Sequence, residues 1–364
     1  MRERISRRWS EPFLAPVALL AASICAHLLV AWTQIRITPG LTVVRTLTKW
    51  DGGYYLKIAQ FGYPDHVTGA SSLGFYPLYP MIVRAVVDVT SCSYDVAGLF
   101  VAIASSTGAV LVLWRLTERL CGSEVASRGV ALFVFAPGAI VLSMTYSEPL
   151  FILLAAGCLL LLLEKRWEFA GALAFLACLA RPNGFAVVAA CATAAFVAVR
   201  ADRKLRACVA PALAFAGFVA LPVYDKIHTG DFLAYWKTQH RGWSQSFDFG
   251  WNTLRKTAET ATHPFHDFNL FMSFVCLIVI LVGLMLLLRW RPPAPITAYT
   301  VVILVLALGS SQLVSTFRFA LTAFPLTIAY ARIARGTKLG VVLAVSAIFF
   351  AMASAAATTV LYTP

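Results

Sequence analysis

The chain of 364 residues is 60% hydrophobic and only 13% charged, with a formal net charge of +13. Ordinary globular chains run at about 45–50% and about 25%. Charge this sparse cannot clothe a water-soluble surface, so disorder and a soluble enzyme are both excluded. The composition is that of a polytopic membrane protein. In that setting a basic excess marks cytoplasmic loops beside anionic lipid rather than a nucleic-acid partner. The eight cysteines include no C-x-x-C pair, so neither a zinc site nor a disulfide framework is expected.

The four arginines of Met1–Arg8 precede an apolar run that reaches Trp32. That run is long enough to span a bilayer and ends without a small-x-small cleavage site, so it reads as an uncleaved first helix. Spanning helices are predicted near 12–32, 95–114, 129–146, 148–163, 168–180, 182–200, 207–224, 269–289, 294–313, 318–334 and 339–360, about eleven in all. Arg and Lys concentrate in the short loops 1–11, 115–128, 164–167, 200–206, 289–293 and 332–338. The positive-inside rule then places the N-terminus in the cytoplasm. The segment Phe75–Val89 holds Pro77, Pro80, Arg84 and Asp88. If it spanned, the basic loop 115–128 would move outside, so it reads as a juxtamembrane helix on the outer surface. The expected fold is an all-α helical membrane bundle forming one domain over 1–364, with long outer loops at about 33–94 and about 225–268.

Loops of that length are usually functional or disordered, and these are rich in Trp, Tyr, Phe and Gly rather than in the residues of disorder. Five of the six histidines lie in them (His66, His228, His240, His263 and His266). In the first, Trp50-Asp51-Gly52-Gly53-Tyr54-Tyr55 follows a short polar stretch after the first helix. A carboxylate there can accept a proton from a sugar hydroxyl as a general base, or it can simply cap a helix. Trp50, Tyr54 and Tyr55 offer flat faces for a sugar or a lipid chain, although interfacial aromatics are ordinary in membrane proteins.

Glu148 stands at the outer joint of two apolar segments, before Pro149. A carboxylate near membrane depth is costly and commonly functional, with helix capping as the plainer alternative. Arg181 in Arg181-Pro182-Asn183-Gly184 and Arg318 in Phe317-Arg318-Phe319 are also outer-side joints flanked by apolar sequence. They run against the positive-inside bias and need partners: phosphate, which guanidinium binds bidentately, or Glu148 and Asp51. In the second outer loop Gln239 and His240 could bond sugar hydroxyls beside Trp236 and Trp243. His263 and His266, three apart beside Asp267, are weak as a metal pair, and no metal centre is expected. No H-E-x-x-H, P-loop, G-x-S-x-G or G-x-G-x-x-G motif is present.

Taken together, these stretches resemble the PIG-V family, whose eukaryotic members are the mannosyltransferases that add the second mannose of GPI anchors. The resemblance is carried in order by Trp50-Asp51, Gly62-Tyr63-Pro64, Phe75-Tyr76-Pro77-Leu78-Tyr79-Pro80, Tyr146-Ser147-Glu148, Arg181-Pro182-Asn183-Gly184, Gln239-His240-Arg241-Gly242-Trp243, and Arg318-Phe319 with Phe324-Pro325. Pro182 departs from the serine of many relatives. The resemblance implies a GT-C glycosyltransferase fold whose first outer loop carries the key acid, so the family's Trp-Asp maps onto Trp50-Asp51. It implies a polyprenyl-phosphate-linked sugar donor, most simply mannose, inverting transfer with Asp51 as base, and binding roles for Trp50, Tyr54, Glu148, Arg181, Asn183, Gln239, His240 and Arg318. No cofactor is required for such a donor, and a divalent metal is left open.

The acceptor is a glycolipid, polysaccharide or protein. The basic, Ala- and Arg-rich character suggests a bacterial cytoplasmic membrane with the site on its outer face. Two other expectations compete. A transporter or flippase of a lipid-linked or small polar substrate would show inverted repeats. A non-catalytic subunit of a cell-envelope assembly would need Asp51 only as a cap.

Overall fold

The computed structural model describes residues 2–38, 40–67, 69–263, 267–311 and 315–358, with side chains from Leu14 onward. Among them the regular structure is helical, and the single β-bridge joins Phe247 to Ser310. The elements run α1 (Arg2–Ile37), α2 (Val43–Leu47), α3 (Asp51–Phe61), α4 (Leu78–Thr90), α5 (Tyr94–Cys121), α6 (Ser123–Val134), α7 (Glu148–Leu163), α8 (Trp167–Ala180) and α9 (Gly184–Asp202). They continue with α10 (Val209–Thr229), α11 (Ala234–Trp243), α12 (Trp251–Thr262), α13 (Phe268–Trp290), α14 (Ala294–Leu308), α15 (Thr316–Thr322), α16 (Pro325–Ile333) and α17 (Gly336–Thr358).

Six helices among the described residues are long and apolar enough to cross a membrane: α1, α5, α9, α10 with the turn before it, α13 and α17. These coincide with six of the eleven spans expected from hydropathy; of the other five, α7, α8 and α14 are shorter apolar helices and two runs are broken. The segment expected as one span over 129–146 is instead α6 followed by a 3₁₀ helix, Pro137–Ser143, bent from it by 83°. The run expected over 318–334 is split into α15 and α16 at Ala323–Phe324, with Pro325 opening the second helix. Proline has no amide to continue the ladder and ends a helix before it.

A broken helix at membrane depth must find partners for its freed carbonyls inside the protein. Here serines from distant helices supply them. The Ser23 hydroxyl donates to the Val134 carbonyl at 2.5 Å, Ser346 to Phe135 at 2.9 Å, and Ser106 to Leu142 at 2.6 Å. The His27 ring nitrogen Nδ1 lies 2.6 Å from the Ser143 hydroxyl. The whole 3₁₀ segment after Pro137 is buried, packed between α15 and α17. Helix α7 enters directly from it and is buried on nearly every face, against α5, α8 and α9. The bend therefore puts the start of α7, a charged residue included, in the middle of the bundle.

Candidate active site

Asp51 is the first residue of α3. A carboxylate there meets the partial positive charge of the helix N-terminus. Trp50, just before it, has a φ of 61°, which a non-glycine residue adopts only when its surroundings impose it. The indole donates to the Ala357 carbonyl at 3.3 Å, and the Lys49 ammonium donates to that of Thr358 at 3.0 Å, so the end of α17 fixes this turn. On the other side the Thr145 amide donates to the Leu47 carbonyl at 2.9 Å. Gly52 lies so close that a Cβ would stand 3.1 Å from the Thr145 carbonyl oxygen. These contacts clamp the start of α3 onto the stretch that leads into α7 and Glu148.

Four charges meet there. Glu148 is completely buried. Its Oε1 is 2.6 Å from an Arg181 terminal nitrogen and 3.1 Å from Arg318 Nε. An Arg318 terminal nitrogen donates to Asp51 Oδ2 at 2.5 Å. Arg181 also donates to the Ser147 hydroxyl at 3.1 Å, and Ser147 Oγ lies 2.6 Å from the Tyr55 hydroxyl. Burial pushes the Tyr55 phenol well above its usual range, against the opposing pull of the Arg181 charge, so it stays protonated. Two acids and two guanidiniums balance formally, and that balance is what makes so much buried charge tolerable. The Arg318 guanidinium also lies over the rings of Phe319 and Tyr146, 5.0 and 5.2 Å from their centroids.

Each arginine sits at a joint rather than within a long helix. Arg181 is the extended residue closing α8. Arg318 is in the seven-residue α15, which is tied to its neighbours by the Tyr299 hydroxyl on the Thr322 carbonyl (2.8 Å) and by Asn183 Nδ2 on the Thr322 hydroxyl (3.2 Å).

The cluster forms one wall of a cavity of about 480 Å³, within the range of small-molecule sites. Asp51, Tyr55, Arg181, Asn183 and Arg318 line it on the inner side. Phe75, Tyr76, Tyr235, Trp236, Gln239 and Trp243 form an aromatic side, and Gln245–Phe247 with Ser310 close it. The second long loop is fastened over the first: Gln239 Nε2 donates to the Gly74 carbonyl at 2.8 Å, and Trp243 packs edge-on against Phe75 and Tyr54. Burial pushes the Tyr235 phenol up to about 12.

Of the residues singled out from sequence, Asp51, Arg181, Asn183, Gln239 and Arg318 line the cavity, and Glu148 lies directly behind its arginines. Trp50 and Tyr54 stand beside the lining, the first on α17 and the second stacked on Phe75 at 4.7 Å. His240 is exposed and outside the lining. On α11 the cavity takes Tyr235, Trp236, Gln239 and Trp243, and His240 lies outside that lining. His266 lies outside the described residues, and among those described no group of three or more His, Cys, Asp or Glu could hold a metal ion.

The Gln245–Phe247 stretch with Ser310 escaped the sequence reading, whereas Tyr55 stands out in the sequence only as a flat aromatic face. Tyr55 is four residues after Asp51, so a helix beginning at Asp51 puts the two on one face. The Phe247–Ser310 bridge has no comparable signal.

The family model for mannosyltransferase (PIG-V) matches residues 40–210, which hold Asp51, Glu148, Arg181 and Asn183. A GPI mannosyltransferase 2 from Drosophila pseudoobscura pseudoobscura is 37% identical over 115 residues, 29% of this chain and 25% of that protein. The Drosophila melanogaster protein of the same name is 33% identical over 115 residues. The chain thus matches about a quarter of the length of these relatives.

In three dimensions the chain is similar to the oligosaccharyltransferase of Archaeoglobus fulgidus. The form tethered to an acceptor peptide containing the NVT sequon gives a TM-score of 0.53 at 15% identity, covering 96% of this chain and 56% of that one. The form with Zn and sulfate gives 0.52 at 16%, covering 93% and 53%. At such identity the likeness is one of fold.

Proposed function

We propose that this chain, whose residues 40–210 match the mannosyltransferase (PIG-V) family model, is an inverting glycosyltransferase of the membrane. It takes a sugar, most simply mannose, from a polyprenyl-phosphate donor and passes it to a glycolipid, polysaccharide or protein acceptor on the extracytoplasmic face. The observation that carries this reading is the meeting of Asp51, Glu148, Arg181 and Arg318 on one wall of a half-aromatic cavity. Aromatic faces suit sugar rings, and paired guanidiniums suit a phosphate.

The acceptor oxygen attacks C1 on the face opposite the phosphate, and its proton passes to Asp51. The bond from C1 to the phosphate oxygen breaks, and its electron pair leaves on polyprenyl phosphate. Arg181 and Arg318 offset the charge that grows on that leaving group, as positioned cations do in transition states. Glu148 holds both guanidiniums in place, and Asn183 braces α15 from the joint between α8 and α9.

The test is transfer of label from radiolabelled polyprenyl-phosphate mannose in membranes containing the protein, wild type beside Asp51→Asn. A new labelled product, reduced about 10²–10⁴-fold in the mutant at equal protein level, is expected. Equal turnover in the mutant would remove Asp51 as the base. Label that moves across the membrane without forming a bond would favour the transporter reading.

A further inference from the structure

We propose that Arg318 is a two-position latch: it holds the Asp51 carboxylate in this structure and passes to the phosphate of the donor as that group enters, which releases Asp51 to act as base. This inference rests on the donor chemistry proposed above and adds how the site is regulated.

Among the described residues that line the cavity, the cations are Arg181 and Arg318, and both are already engaged by carboxylates. Both guanidiniums are charge-paired, so an anion that enters competes with a carboxylate for their charge, although Arg181 Nε has no hydrogen-bond partner. The two pairings are not equally able to open. Glu148 is wholly buried and cannot regain water if Arg181 leaves it, and an unpaired buried charge is strongly unfavourable. The Asp51 side chain is 24% exposed and lines the cavity, where an acceptor hydroxyl can replace the lost bond. The Arg318–Asp51 contact is therefore the one that opens.

Arg318 is built to move in only one part. Its Nε faces Glu148 at 3.1 Å and its plane is flanked by Phe319 and Tyr146. Only the terminal nitrogen on Asp51 need change partner. Asp51 is free of its guanidinium partner only when the phosphate is in place, so donor precedes acceptor in the productive order.

The experiment measures binding of radiolabelled polyprenyl phosphate, without sugar, to the purified full-length protein in detergent. Asp51→Asn, which removes the competing charge, is expected to bind about tenfold tighter than wild type although it transfers poorly. Arg318→Gln is expected to bind at least about tenfold more weakly, and the double variant is expected to lose the gain. If Asp51→Asn binds equally or less tightly while Arg318→Gln still weakens binding, the latch is overturned and the phosphate site stands. If neither wild type nor any variant binds, the donor assignment falls and the latch with it.

A readout on wild type guards against misfolding of the variants. In ¹³C-aspartate-labelled protein, the infrared carboxylate band missing from Asp51→Asn should shift when polyprenyl phosphate is added. A band that stays in place overturns the latch.

Discussion

Gly138 is pressed so tightly against Phe317 that a Cβ on it would stand 2.2 Å from the Phe317 carbonyl oxygen and 3.0 Å from the Arg318 amide nitrogen. The 3₁₀ segment thereby acts as the bed on which α15 and its arginine rest. The obstacle is backbone, which cannot rotate away as a side-chain tip could. Gly138→Ala should push α15 outward, lower stability by about 1–3 kcal/mol or more, and misplace Arg318. Thermal unfolding and the transfer assay together check this: an unchanged melting point with full transfer would refute the packing argument.

Glu148 faces two guanidiniums with one carboxylate oxygen. In Glu148→Gln the cations lose their buried partner, and breaking such a pair costs about 3–5 kcal/mol. The variant should accumulate poorly or melt early. Glu148→Gln combined with Arg181→Met removes one charge of each sign and should recover part of the loss. A double variant no more stable than the single would mean that the charges are not coupled.

Ser106→Ala leaves the Leu142 carbonyl without its donor in the middle of the bundle. Hydrogen bonds of this kind are worth about 1–2 kcal/mol in membrane helices. Unfolding in detergent should show a loss of that order. Ser127→Ala, whose exposed hydroxyl bonds only within its own helix, should show almost none.

Gln239→Ala removes the bond from α11 to the Gly74 carbonyl and should loosen the roof of the cavity without touching the four charges. A net hydrogen bond of about 1 kcal/mol corresponds to roughly a fivefold rise in KM with kcat little changed. A fall in kcat at unaltered KM would instead give Gln239 a role in the chemical step.

The members of the charge cluster could be picked out from sequence because each violates a local expectation. Glu148, Arg181 and Arg318 are charges set among apolar residues at segment joints, where a charge without a purpose is too costly to keep. Their convergence was legible only through the topology that put those joints on one side. The breaks were harder. Residues 129–146 are apolar almost throughout, and Pro137-Gly138 is a modest interruption by the standards of membrane helices. What permits the 83° bend is a set of hydroxyls on α1, α5 and α17, more than a hundred residues away in two of three cases, and no local window contains them. His240 lies outside the cavity lining for a related reason. Its chemistry is suggestive, yet the cavity takes the residues one position before and three after it instead.

The indole of Trp50 and the carbonyl of Ala357 are separated by 307 residues of chain, and Arg318 and Asp51 by 267. Asp51 therefore reaches the membrane early in synthesis, while the groups that fix its turn and pair its charge are still to be made. A translation product that stalls before α15 presents Asp51 without its counter-ion, and one that stalls before α17 leaves the Trp50 turn unheld. The Trp50 turn is thus completed only once α17 has been made.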